Sequence, residues 1–156
     1  MIKNLTVIAF VLFSLISCTE GNGDSKEEIK PLDKAESERK KEGLVLLKKY
    51  CYACHSPYSS THDNIVAPPM AAVKMRYQRM YKTKVDFVTA VVKWTEEPKK
   101  EEAIMKGAID RFGVMPKQIF DTEDLLKIAT YIYENKLEEP EWFAAHAEEM
   151  HGKNKE

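Results

Sequence analysis

The side chains able to do chemistry gather in one short stretch, "LVLLKKYCYACHSPYSS", residues 44–60. Cys51 and Cys54 lie three positions apart, and His55 follows directly. Such a cluster serves three chemistries: half of a zinc site, a dithiol redox switch, or a covalent anchor for haem. Structural zinc takes four ligands, usually as two paired sets. The other histidines, His62, His146 and His151, show no paired spacing with a cysteine. A thioredoxin-like switch belongs in βαβ surroundings, for which the chain gives no signal. Cys-x-x-Cys-His is the attachment signature of c-type haem. Two thiols that add to the two haem vinyl groups clamp the macrocycle at one edge. A histidine beside the second thiol then meets the iron from the same side. On a helix, Cys51 and His55 share a face because they are four apart.

The surrounding elements read as helices. "AESERKKEGLVLLKKY" places Leu44, Leu47 and Tyr50 at helical spacing and delivers the chain into Cys51. "SPYSSTHDNIVAPP" is rich in Ser, Pro, Asp and Asn and reads as a loop. "MAAVKMRYQRMYK" is expected to be a short helix, and "KVDFVTAVVKW" another, with no partner available for a strand. "EEPKKEEAIMKGAIDRF" is expected to start a helix near Pro98, with Ile104, Met105, Ala108 and Ile109 on one side. Gly113 and Pro116 break the pattern. "DTEDLLKIATYIYENK" is the clearest helix, acidic at its start and striped by Leu125, Ile128, Ala129 and Ile132. The fold class is all-α.

Several spaced features together resemble the class I c-type cytochromes, over about residues 40–136. Gly43 and Leu47 precede Cys51 by eight and four positions, where the family carries a glycine and an apolar residue at a crossing of its first and last helices. Ile128 and Tyr131 match the partner positions in the last helix. "APPMAAV" resembles the family's Gly-Pro-x-Leu loop, with Ala67 where glycine is common. The resemblance implies that the Pro68 carbonyl accepts a hydrogen bond from the second nitrogen of His55, fixing its tautomer. It also implies a haem in the core, one copy of haem c held by Cys51 and Cys54. Met115, in "FGVMP", matches the family's methionine ligand, and thioether ligation raises the reduction potential. Trp94 matches a tryptophan whose indole N–H donates to a haem propionate; a buried indole wants some acceptor in any case. Met70, Met75, Met80 and Met105 have helical or apolar neighbours and read as core filler.

The chain has 156 residues, 24 basic and 25 acidic, for a formal charge of −1. That is one ordinary domain, and not a nucleic-acid binder that relies on overall basicity. Lys3 and the apolar run from Leu5 to Ile16 form a secretory leader, too short for a comfortable transmembrane span. Its end, Leu15-Ile16-Ser17-Cys18, resembles a bacterial lipobox, which implies lipidation of Cys18. The expected layout is a lipoprotein signal peptide at 1–17, a flexible tether at 18–35, a cytochrome c domain at 36–137 and an extension at 138–156. The protein is then lipid-anchored and faces the periplasm or the cell exterior.

The basic stretch Lys74, Arg76, Arg79, Lys82 and Lys84 reads either as a docking patch for an acidic redox partner or as a solvated helix face. In the extension, Trp142, Phe143 and Ala147 form a small apolar stripe. His146 and His151, five apart, are off register for a metal site on one helix face. The expected function is one-electron transfer between redox protein partners, with no small-molecule substrate. The alternatives are a haem enzyme or gas or redox sensor with a labile sixth ligand, or a cytochrome subunit of a larger oxidoreductase complex.

Overall fold

The computed structural model describes residues 31–152. The leader, Cys18 and most of the expected tether lie outside the described residues. Among the described residues the structure is all-α, with no strand. Helix α1 spans Pro31–Tyr50, α2 Met70–Met80, α3 Lys84–Glu96, α4 Lys106–Phe112, α5 Thr122–Glu134 and α6 Phe143–Gly152.

Helix α1 has two halves of different character. Residues 33–42 are exposed on every side, in keeping with the run of charged side chains there. From Gly43 onward the helix is packed, and Leu47 is fully buried. The helix starts at Pro31, five residues before the domain start expected from composition. Its 20 residues extend about 30 Å and end at the cysteine motif.

Helix α5 is the packing centre. Leu125, Ile128, Ala129 and Ile132 are buried along one face. Its N-cap is Asp121, whose carboxylate accepts from the backbone N–H groups of Glu123 and Asp124 at 2.8 and 3.3 Å. Glu123 and Asp124 add favourable charge to the first turn. Helices α1 and α3 both pack on α5. The α1–α5 contact is closest at Gly43: a Cβ there would lie 2.7 Å from Tyr131 Cβ and 3.1 Å from the Lys127 carbonyl oxygen. The absent side chain is what lets the two backbones approach.

Helix α3 starts on a reciprocal cap. Thr83 Oγ1 accepts from the Asp86 N–H at 3.1 Å and donates to the Asp86 carboxylate at 2.6 Å. Phe87, Val88 and Val92 carry this helix into the core. The segment after Pro98 departs from the expected single helix. A 3₁₀ turn at Lys100–Glu102 is followed by an extended Ala103, and α4 begins only at Lys106. The break turns Ala103 inward, where it is 4% exposed. A continuous helix would leave that position on its own spiral.

Candidate functional site

The cysteine motif continues α1 as a turn. Cys51 N–H donates to the Leu47 carbonyl at 2.9 Å, and His55 N–H donates to the Cys51 carbonyl at 2.8 Å. That spacing brings Cys51, Cys54 and His55 to the wall of a cavity of about 290 Å³. This is near the small end of the range for sites that bind small molecules and cofactors. The rest of the wall is mainly apolar. Val73 of α2, Val91 and Val92 of α3, Ile109 and Phe112 of α4 and Ile128 and Ile132 of α5 all contribute.

Pro68, Trp94 and Met115 line the same cavity. All six residues expected to contact a cofactor therefore surround one space. They come from four separate places: the end of α1, the loop before α2, α3, and the loop after α4. Met115 reaches the wall because of Gly113. That glycine caps α4, its N–H donating to the Ile109 carbonyl at 2.9 Å, and has φ of 77° and ψ of −175°. Side chains other than hydrogen are strongly disfavoured in that backbone region. The chain thereby turns sharply off α4 and runs along the cavity through Val114, Met115 and Pro116.

The His55 ring is specified by one contact. Its Nδ1 lies 2.7 Å from the Pro68 carbonyl oxygen. A carbonyl only accepts, so Nδ1 carries the proton and donates. The tautomer leaves Nε2 unprotonated, with a lone pair free to bind a metal. Burial holds His55 below its ordinary pKa of 6.5, and the Pro68 contact works against that shift. Burial, helped by the neighbouring Cys54, pushes the Cys51 thiol up to about 11. At neutral pH Cys51 is a thiol. That suits a bond-forming side chain assisted from outside better than a self-activated redox cysteine, whose pKa is lowered.

Three methionines line the cavity: Met70, Met105 and Met115. By sequence the first two read as core filler, and Met70 is indeed buried, at the start of α2. Met70 N–H is 3.4 Å from the His55 carbonyl, which puts its backbone on the His55 side. Met105 stands at the N-cap of α4. The sequence does not reveal that either borders the cavity, because helical spacing alone does not distinguish a core wall from a cavity wall. Phe120 and Tyr50, with ring centroids 4.8 Å apart, also line it. Among the described residues no group of three His, Cys, Asp or Glu side chains is arranged to hold a metal ion.

The basic stretch is stitched into the fold. Lys74 Nζ donates to the buried Asn135 carbonyl at 2.6 Å, and Arg76 Nε to the Ile104 carbonyl at 3.0 Å. Lys82 Nζ donates to the Gln78 carbonyl at 3.4 Å, and Lys84 pairs with Glu134.

No known family profile matches the chain, and no solved structure does. The chain is 28% identical over 128 residues to an uncharacterised protein of Aquifex aeolicus (strain VF5), covering 71% of this chain and 82% of that protein.

Proposed function

We propose that the protein is a monohaem c-type cytochrome that carries single electrons between protein partners. The observation that carries this reading is the His55 tautomer. A partly buried imidazole with Nδ1 committed to the Pro68 carbonyl offers Nε2 as a ligand. The two cysteines of a haem-attachment motif line the cavity beside it, and Met115 lines it too.

The donor set fits the group. Two thiols could form thioethers to the vinyl carbons, and one nitrogen and one thioether sulfur could ligate iron. The apolar wall suits a flat hydrophobic macrocycle. When bound, haem supplies an iron that takes up and gives back one electron. Cys51 and Cys54 would hold the cofactor covalently, so that it would not be lost when its charge changes. The Pro68 carbonyl holds the Nδ1 proton and keeps the imidazole from turning. Met115 lines the cavity and would offer its thioether sulfur to the iron. Val91, Val92, Ile128 and Ile132 keep water from the site, which favours a high potential and little solvent rearrangement on electron transfer. Trp94 offers an indole N–H to a polar group of the cofactor.

Lipid attachment at Cys18 belongs to the same reading and places the site outside the cytoplasm, where haem c is attached. The polar first half of α1 is then a spacer between anchor and domain. The partners are redox proteins.

Absorption spectra of the chain, matured in a host that attaches haem, test the proposal. A covalently bound chromophore is expected that survives denaturation. The oxidised form should show the weak methionine–iron charge-transfer band. Met115→Ala should abolish that band and let the reduced protein bind carbon monoxide, whereas Met105→Ala should do neither. Ready carbon monoxide binding by the unmutated protein at neutral pH would instead favour the sensor or enzyme reading. No attached chromophore after co-expression with a maturation system would end the haem reading altogether.

A further inference from the structure

The extension beyond residue 137 packs against the domain. Pro140 is fully buried, and Phe143 is 7% exposed. Glu138 accepts from the Tyr58 hydroxyl at 2.8 Å and pairs with Lys48 at 3.5 Å. Trp142 Nε1 lies 3.1 Å from the Ser59 carbonyl oxygen and 3.2 Å from its hydroxyl oxygen. The Trp142 ring meets His62 edge-on at 5.2 Å, and His146 stacks on His62 at 4.3 Å. Apart from Lys48, these polar and ring partners all fall within Tyr58, Ser59 and His62. Those three residues sit in the loop that connects His55 to Pro68.

The same loop is tied on its other side. Arg111 of α4 donates from Nη2 to the His62 carbonyl at 2.9 Å, and its Nη1 lies within hydrogen-bond distance of the His62 ring. Arg111 is two residues before Gly113, where the chain turns toward Met115. His62 therefore joins three parts of the molecule: the loop after His55, the helix before Met115, and α6.

We propose that the extension is a strap that fixes the loop between His55 and Pro68, with Trp142 as its positioning residue. The strap deepens the haem reading and, in its bearing on iron ligation, rests on it. The loop has little regular structure of its own, only a 3₁₀ turn at His62–Asn64 with no buried residue. Its ends nevertheless have to hold the 2.7 Å contact between His55 Nδ1 and the Pro68 carbonyl. A loop with as few buried residues as this one, Pro57 among them, samples open states readily. Trp142 supplies what the loop lacks: an indole N–H to its backbone and a ring against His62. By limiting the loop, the strap keeps the Pro68 carbonyl in place and so keeps the His55 tautomer.

Hydrogen exchange on the full chain, as purified, tests the strap. The readouts are the amides of residues 56–66 other than Pro57, and the His55 Nδ1 proton. Trp142→Ala is expected to speed exchange at both by about tenfold and to leave α3 and α5 unchanged. Trp142→Phe, which keeps a ring but loses the N–H, and His146→Ala should each give a smaller change in the same segment; they carry the test if Trp142→Ala does not fold. Faster exchange confined to α6 would mean that the extension only covers the surface, and would overturn the proposal. Equal acceleration in all helices would reduce Trp142 to a general stabiliser and would overturn it too. A chain purified without haem would end the function reading and leave the exchange comparison standing.

Discussion

At the scale of single residues, the candidate site depends on backbone as much as on side chains. Pro68 acts through a carbonyl, and Gly113 through a conformation. A Cβ at Gly113 would meet nothing within 4 Å, so its need for glycine is purely torsional. Gly113→Ala would have to adopt φ near 77° with ψ near −175°, at a cost of roughly 1–3 kcal/mol. The alternative is to re-aim the loop that carries Met115. The two outcomes separate by measurement. Chemical denaturation is expected to show a lower midpoint, and, on the proposed haem reading, the methionine–iron band is expected to weaken. Full retention of both would mean that the α4 turn does not position Met115.

At the scale of elements, the α1–α5 crossing is the joint from which Cys51 hangs. Gly43→Ala would set a methyl 2.7 Å from Tyr131 Cβ, and the next neighbour is the Lys127 backbone, which gives little. The helices must separate by several tenths of an ångström, and overpacking of this kind costs about 1–3 kcal/mol. Part of that is offset by the better helix propensity of alanine, near 1 kcal/mol. A net loss of stability in denaturant melts is expected; a gain would mean that the helices do not touch there. Helix α5 is legible from its four-residue apolar stripe and the acidic cap before it, since both act locally. The break before α4 is not. Ile104, Met105, Ala108 and Ile109 keep helical spacing whether or not the chain is helical at Ala103, and what decides the matter is burial of Ala103 by other elements. The docking of the extension is hidden for a related reason. Trp142 bonds to Ser59, 83 positions away, largely through a main-chain carbonyl that any residue would offer. The motifs name the candidate site residues one by one and the structure brings them to one cavity, but that Met70 and Met105 also face it emerges only from the packing.

At the scale of the whole molecule, His62 is the point at which the parts meet, and it is titratable. Partial burial lowers its pKa below the ordinary 6.5. The positive charge of Arg111 and the nearby His146 lower it further, while Asp63 pulls the other way. The folded protein therefore takes up a proton at His62 less readily than the unfolded chain does. As the pH falls through 6.5, the unfolded chain binds more protons, and the stability linked to His62 declines until the folded form is protonated as well. Above 6.5 the contribution is intact. The partly buried His55 shifts in the same direction, so the acid loss of the unmutated protein alone would not identify the residue. The comparison with His62→Gln does, because glutamine keeps a hydrogen-bonding side chain and has no proton to gain in this range. The advantage in thermal midpoint of the unmutated protein over His62→Gln is expected to be largest near pH 7.5 and to shrink by pH 5. His55 is common to both proteins and drops out of the difference. An advantage that stays constant across that range would show that the neutral imidazole of His62 does not hold loop, α4 and extension together.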